Sequence, residues 1–148
     1  MKKVLIAYYS RTGMTQKMAD YIAEGVRFTG STAIVKKISE LKNEKDLAGY
    51  DGYIFGCPTY YRDMTENFKT FLFMVQKAKL AGKPGAAFGS QTHTGEASKY
   101  IFETMEFVFK MDMTDLGPFT LNESTVDTAE GMTACQDYGK ALAEKLGS

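Results

Sequence analysis

Short apolar runs alternate with amphipathic helical segments along almost the whole chain. The first run, KKVLIAYYS, is continuous and rich in branched and aromatic residues, which is typical of a buried strand. Directly after it, Met14, Met18, Ile22 and Val26 recur every four residues and predict an amphipathic helix. Such alternation predicts an α/β fold, in which helices cover both faces of a parallel sheet.

Later segments continue the same alternation. TAIVKKI is a more polar strand suited to an edge, YDGYIFGCPTY is a strongly apolar third strand, and GKPGAAFGS is a fourth strand of small residues. The helix after the third strand is predicted to start at Asp63, where Glu66 completes a capping-box pattern. LGPFTLNE is the candidate for a fifth strand, and GMTACQDYGKALAEKLG for the last helix.

Length and composition exclude several classes of protein. The 148 residues predict a single domain over residues 1–148. With 18 basic and 18 acidic residues the formal charge is zero, so we expect no nucleic-acid partner. The two cysteines make no disulfide framework, and no run approaches the ~20 apolar residues of a membrane span. We therefore expect a cytoplasmic protein without a membrane span.

Three turns are the candidate site, because ligands bind off the carboxyl ends of the strands in such sheets. They are SRTGMT (loop 1, residues 10–15), CPTYYRDM (loop 2, residues 57–64) and GSQTHTGEA (loop 3, residues 89–97).

Loop 1 has the composition of an anion site. It leads into a helix start, where free amides and the positive end of the helix dipole point at a ligand. Ser10, Thr12 and Thr15 add hydroxyl donors, and Gly13 allows a close approach. These features predict a bound phosphate monoester, with Arg11 as the one cation of the loop. In the simpler alternative, Ser10 or Thr12 only caps the helix.

Loops 2 and 3 carry aromatic and polar groups. Tyr60 and Tyr61 follow Pro58 and can stack on a flat ring, although one of them can instead pack in the core. Loop 3 offers donors and acceptors that can read a polar ring edge. His93, the only histidine, lies among them, and a lone histidine can equally be a surface or structural residue.

Together the three loops resemble those of the flavodoxin family, over essentially the whole chain. SRTGMT matches the family's phosphate loop, a Thr/Ser-x-Thr-Gly-x-Thr pattern, and GCPTYY resembles its second flavin loop. AAFGSQTHTGEA resembles the third loop in flavodoxin domains of flavo-diiron proteins and in quinone reductases of the tryptophan-repressor-binding-protein type. The resemblance implies a flavodoxin-like three-layer α/β/α fold with a five-stranded parallel sheet in the order 2-1-3-4-5.

The same resemblance implies FMN as the cofactor. It assigns the phosphate to loop 1, one side of the isoalloxazine to loop 2, and the pyrimidine edge or the other face to loop 3. The cofactor-binding residues are then Ser10, Arg11, Thr12, Gly13, Met14 and Thr15, then Pro58, Thr59, Tyr60, Tyr61 and Arg62, and finally Ser90, Gln91, Thr92, His93 and Gly95. We expect no metal, since one histidine cannot supply the ligands of a diiron centre.

Two functions compete within this interpretation. One is a low-potential electron-transfer carrier between a reductase and an acceptor protein. The other is an NAD(P)H-dependent quinone or flavin reductase, in which His93 is the candidate catalytic proton donor. Short length and aromatic cover favour the carrier, whereas the neutral charge and the His93 loop favour the reductase. We favour the carrier.

Proteins of other classes fit the loops less well. A response-regulator receiver needs an acidic cluster after the first strand, where this chain has Ser-Arg-Thr-Gly. A small phosphatase would use Cys57 and Arg62, but the two are one residue too close for the Cys-x5-Arg loop. A P-loop nucleoside triphosphatase is excluded because Gly-x4-Gly-Lys is absent.

Overall fold

A computed structural model describes residues 2–146 as one parallel sheet between two layers of helices. Strands and helices alternate in the order β1 (Lys3–Tyr8), α1 (Met14–Phe28), β2 (Thr32–Lys37), β3 (Gly52–Gly56), α2 (Glu66–Gln76), β4 (Pro84–Gln91), α3 (Glu96–Glu103), β5 (Asp112–Met113), β6 (Phe119–Asn122), α4 (Glu123–Val126) and α5 (Ala129–Lys145). Two 3-10 turns, Ile38–Glu40 and Glu44–Leu47, replace a helix between β2 and β3.

The sheet order is β2-β1-β3-β4-β5, which confirms the predicted order 2-1-3-4-5. A sixth strand, β6, also pairs with β4. The fifth position of the sheet is therefore divided in two: β5 pairs with Pro84 and Gly85 at the start of β4, and β6 pairs with Phe88–Gln91 at its end. The segment predicted as the fifth strand, LGPFTLNE, contains β6.

Tyr138 of α5 fills the gap that this division leaves beside β4. Its hydroxyl lies 3.3 Å from the amide nitrogen of Ala87, 3.0 Å from the Ala87 carbonyl oxygen and 2.7 Å from the Gly117 carbonyl oxygen. It can thus accept one bond and donate to either carbonyl. The Tyr138 ring stacks on Phe119, with centroids 4.8 Å apart. One side chain supplies the polar contacts that a continuous fifth strand would have supplied to Ala87.

The two faces of the sheet bury separate apolar layers. α1 and α5 cover one face, and α2 and α3 cover the other. The backbones of α1 and α5 are close together, because a Cβ atom at Gly25 would lie 1.8 Å from the Gln136 carbonyl oxygen, and one at Gly139 would lie 2.0 Å from that of Ile22. In the described part of the chain, no helix combines the length and apolar character needed to cross a bilayer.

The helix after β3 begins later than the sequence predicts. α2 starts at Glu66 with Thr65 as its N-cap, so the capping box predicted at Asp63 is wrong. Asp63 instead exchanges two backbone bonds with Tyr60, and its carboxylate lies 2.6 Å from the Lys69 ammonium. Residues 60–63 form a turn that keeps Asp63 out of the helix. The following helix, α3, changes to a π-helical turn at Thr104–Val108.

Replacing Tyr138 by Phe should lower the free energy of unfolding. The substitution leaves the buried amide and carbonyl of Ala87 without this partner, which typically costs about 1–3 kcal/mol. Urea titration of the wild type and Tyr138→Phe measures the difference. Tyr100→Phe is the matched control, since Tyr100 is 37% exposed and should change stability by less than about 0.5 kcal/mol. Equal midpoints and slopes for all three proteins would contradict this role of Tyr138.

Candidate functional site

Loops 1, 2 and 3 meet at the carboxyl edge of the sheet, and Ser90 of β4 connects them. Ser90 is 1% exposed, and its hydroxyl lies 2.8 Å from the hydroxyl of Thr15 in loop 1. Its carbonyl oxygen accepts a bond from the Thr59 amide in loop 2 at 3.1 Å. The Thr59 hydroxyl in turn accepts a bond from the Ala97 amide at the start of α3. The predicted site residues of the three loops are thus brought together around one buried serine.

Small residues at the ends of β3 and β4 make this junction possible. A Cβ atom at Gly56 would lie 2.3 Å from the ring of Phe88, and one at Gly89 would lie 2.7 Å from the carbonyl oxygen of Cys57. Both distances are shorter than side-chain contacts allow, so larger residues would push the strand ends apart. The close approach keeps loop 2 within hydrogen-bonding reach of Ser90.

Loop 1 ends in a helix start whose N-cap residue has no side chain, and the hydroxyls of Ser10 and Thr12 cap its first amides instead. Gly13 is the N-cap residue of α1, with a φ of 94°, and the first turn of α1 contains no acidic residue. The Ser10 hydroxyl accepts a bond from the Gly13 amide at 3.1 Å, and the Thr12 hydroxyl accepts one from the Met14 amide at 3.5 Å. Helix starts attract anions through their amides and dipole, so these groups fit a phosphate.

Loop 2 folds back on itself in a tight turn. Tyr60 and Asp63 form an isolated antiparallel bridge, with N–O distances of 2.8 and 2.9 Å. The two residues between them, Tyr61 and Arg62, have φ angles of 50° and 60°. Two successive left-handed residues are the pattern of a type I′ turn, which favours Asn and Gly. Here a tyrosine and an arginine occupy these positions, and both side chains are exposed.

Arg11 of loop 1 lies against Tyr60 of loop 2. The guanidinium carbon is 5.3 Å from the centroid of the ring, within cation–π range. Partial burial raises the pKa of the Tyr60 phenol, Arg11 opposes this shift, and the Glu123 carboxylate adds to it. The pKa stays above its ordinary value, so Tyr60 carries a neutral phenol at neutral pH.

A cavity of about 780 Å³ opens between loops 2 and 3. Of the residues predicted to bind a cofactor, it is lined by Arg11, Thr59, Tyr60, Tyr61, Arg62, Thr92 and His93. Ser90, Gln91 and Gly95 do not line it; Ser90 is buried under the loops and Gly95 is the N-cap of α3. A second cavity of about 540 Å³ lies beside loop 1, and Arg11 lines both.

The two walls of the larger cavity differ in chemistry. Loop 2 contributes two adjacent aromatic rings, Tyr60 and Tyr61. Loop 3 contributes small polar side chains and the exposed imidazole of His93, with Thr94 joining the lining on this side. The cavity therefore has an aromatic surface on the loop 2 side and a hydrogen-bonding surface on the loop 3 side.

Glu123 is a site residue that the sequence analysis missed. Its Oε1 accepts a bond of 2.6 Å from the hydroxyl of Thr12, across 111 residues of sequence. One signal was present, because Glu123 is the last residue of LGPFTLNE, the segment predicted as the fifth strand, and so leaves the sheet at the carboxyl edge. The division of the fifth strand decides which residue comes next to loop 1.

Cys57 is a core residue at the end of β3. Its side chain is fully buried, and burial raises the pKa of the thiol to about 12. A thiol with this pKa is protonated at neutral pH and is a poor nucleophile. The geometry therefore excludes the phosphatase alternative, in which Cys57 would attack a phosphate.

A family model described as a flavodoxin domain matches residues 5–120. An NAD(P)H dehydrogenase (quinone) from Sinorhizobium fredii is 33% identical over 123 residues, which covers 66% of this chain and 62% of that protein. A flavodoxin from Clostridium saccharobutylicum is 35% identical over 88 residues, 60% of this chain and 55% of that protein. The chain thus spans less than two thirds of the length of both relatives.

A solved structure agrees over almost the whole length of both chains. A flavodoxin from the domain Archaea superposes with a TM-score of 0.90 at 27% identity, covering 97% of this chain and 98% of that one. The three-layer arrangement and the sheet order are therefore those of a flavodoxin fold.

Substituting Arg62 should reveal the strain in the loop 2 turn. A left-handed conformation costs a residue with a Cβ atom about 1–2 kcal/mol. Glycine avoids this cost, but it also makes the unfolded chain more flexible, which offsets part of the gain in stability. The free energy of unfolding of Arg62→Gly should therefore be about 1 kcal/mol higher than that of Arg62→Ala, so the glycine variant should unfold at a higher urea concentration. Both variants remove the guanidinium, so their difference isolates the backbone. An alanine variant as stable as the glycine variant would show that the turn is not strained.

Proposed function

The chain belongs to the flavodoxin family, and on this premise we propose that it binds FMN and serves as a low-potential electron-transfer carrier. The observation that carries the proposal is the junction at Ser90, which holds a hydroxyl-rich helix start and an aromatic cavity at one edge of the sheet. A phosphate and a flat ring that are joined by a short polyol need these two surfaces side by side.

Loop 1 is the proposed phosphate site. Its donors are the amides at the start of α1 and the hydroxyls of Ser10, Thr12 and Thr15. The first turn of α1 has no acidic residue, so nothing within the helix start opposes an anion there. Arg11 is directed toward Tyr60, which leaves the phosphate to neutral donors.

The larger cavity is the proposed site of the isoalloxazine ring. Its volume of about 780 Å³ lies within the usual range for ligand pockets, about 300–1,000 Å³. Tyr60 and Tyr61 offer faces on which a flat ring can stack, and Thr92 and His93 offer polar contacts opposite. FMN would supply the redox chemistry, while the protein sets the orientation of the ring and access to it.

Access to the ring favours a carrier. Tyr61 is fully exposed at the tip of the loop 2 turn, so one rim of the cavity faces solvent. A partner protein can approach this rim without any movement of the core. We propose reductase and acceptor proteins as partners, and the cytoplasm as the location, because the two buried cysteines are unpaired thiols that suit a reducing compartment.

A second candidate function is an NAD(P)H-dependent reductase of quinones or flavins. The observation in its favour is the asymmetry of the cavity, since loop 2 contributes two tyrosine rings and loop 3 contributes Thr92, His93 and Thr94. That wall leaves room for a nicotinamide beside a flavin, and imidazole is suited to passing a proton near neutral pH. The Sinorhizobium relative is named as an enzyme of this kind.

Anaerobic reduction of the FMN-reconstituted protein separates the two functions. One sample receives dithionite and another NADH or NADPH, and both are followed by visible absorbance. A carrier should pass through a half-reduced state with dithionite and should not be bleached by the nicotinamides. Rapid bleaching by NADH or NADPH would favour the reductase. Failure to bind FMN would refute both proposals.

The phosphate assignment predicts that Ser10→Ala weakens FMN binding. A hydrogen bond to a charged group contributes about 1.5–3 kcal/mol, so Kd should rise roughly tenfold or more. Riboflavin, which lacks the phosphate, should bind both proteins equally. Ser39→Ala is the matched control, since Ser39 lies outside loop 1 and is exposed in the 3-10 turn after β2. An unchanged Kd for FMN in Ser10→Ala would remove Ser10 from the phosphate site.

A further inference from the structure

A carboxylate lies next to the proposed phosphate site, where an anion is to bind. Glu123 is the first residue of α4, and its Oε1 is 2.6 Å from the hydroxyl oxygen of Thr12. Thr12 is in the middle of loop 1. The first turn of α1 has no acidic residue, so this charge comes from a different part of the chain.

The position of Glu123 is fixed by its neighbours. Asn122 caps α4 by accepting bonds from the amide and the hydroxyl of Ser124, at 3.0 and 2.9 Å. Its side-chain amide also donates to the carbonyl of Thr92 in loop 3 at 3.4 Å. Glu123 itself is half-buried. The carboxylate is therefore held beside loop 1 and is not a freely moving surface group.

The Thr12 hydroxyl has one proton to give. Its oxygen accepts a bond from the Met14 amide, and its proton goes to Glu123. The terminal oxygens of a phosphate dianion only accept hydrogen bonds. A phosphate in loop 1 can thus accept a hydrogen bond from the Thr12 hydroxyl only if the bond from Thr12 to Glu123 breaks.

Within residues 2–146, Glu123 forms no ion pair with a basic side chain. Lys17 of α1 forms an ion pair with Asp127, with N and O atoms 2.7 Å apart. Arg11 lies over the ring of Tyr60. The Glu123 carboxylate also raises the pKa of the Tyr60 phenol, so its field reaches the mouth of the larger cavity. A bound phosphate would meet the same field as a repulsion.

We infer that Glu123 is a specificity-determining residue, which competes with the FMN phosphate for the Thr12 proton and thereby limits how strongly the chain prefers FMN to riboflavin. The inference rests on the proposed FMN site. As a consequence, loop 1 binds a phosphate less tightly than its hydroxyl groups would without Glu123. Removing the charge should strengthen binding of the phosphorylated flavin and leave the other flavin unaffected.

The test is the Kd for FMN and for riboflavin, measured by flavin fluorescence quenching in the full chain. Glu123→Gln removes the charge, keeps the size of the side chain and leaves only a neutral, weaker acceptor for the Thr12 proton, so it should tighten FMN binding by about tenfold. Riboflavin binding should stay within about twofold, because riboflavin carries no phosphate to be repelled. Glu144→Gln is the matched control, since Glu144 is exposed in the last turn of α5, at the opposite edge of the sheet.

A second background tests the route through Thr12. In Thr12→Val there is no hydroxyl proton to share, so Glu123→Gln should tighten FMN binding clearly less than in the wild type. Circular dichroism of each variant before titration checks that the fold is retained. An equal gain in both backgrounds would overturn the competition for the proton.

Other results would overturn the inference in distinguishable ways. If Glu123→Gln leaves FMN binding unchanged or weakens it, Glu123 supports loop 1 and does not compete with the ligand. Equal tightening for FMN and riboflavin would place its effect away from the phosphate. If the wild type binds FMN no more tightly than riboflavin and Ser10→Ala changes neither, the proposed phosphate site itself fails, and the role of Glu123 with it.

Discussion

The hydrogen bonds of Ser90 are the constraint on which the arrangement of the site depends. Ser90 is buried at the end of β4, where it bonds to Thr15 of loop 1 through its hydroxyl and to Thr59 of loop 2 through its carbonyl. A buried polar group without a partner is costly, so these bonds hold loops 1 and 2 against the end of β4. The aromatic cavity and the hydroxyl-rich helix start are therefore placed together by the same contacts.

The divided fifth strand controls what reaches the site from the other side. β6 pairs with the last residues of β4, and Asn122 lies opposite Gln91. The chain therefore leaves the sheet beside loop 3, and the next residue, Glu123, accepts a hydrogen bond from Thr12. Tyr138 stabilises this arrangement by bonding to Ala87, at the point between β5 and β6 where β4 has a strand on only one side. A packing detail of α5 thus supports the position of a charge in the site.

Most of the fold could be predicted because it depends on local pattern. The apolar runs of β1, β3 and β4 and the four-residue period of α1 are visible in the sequence and were confirmed. The start of α2 was predicted wrongly, since an Asp and a Glu three residues apart can occur in a loop as well as at a helix start. The bridge between Tyr60 and Asp63, which decided the matter, is a backbone contact that no side-chain pattern signals.

The amino-acid sequence alone dictates the alternation of strands and helices, and therefore the edge at which loops 1, 2 and 3 meet. It also determines which side chains those loops carry. Three-dimensional packing places Ser90 under the loops and His93 in the lining of the cavity. It also places Arg11 over the ring of Tyr60 and Glu123 within hydrogen-bonding distance of Thr12. The physical reason is that these contacts join residues far apart in sequence, and their geometry depends on strand register and helix packing, which no local pattern encodes.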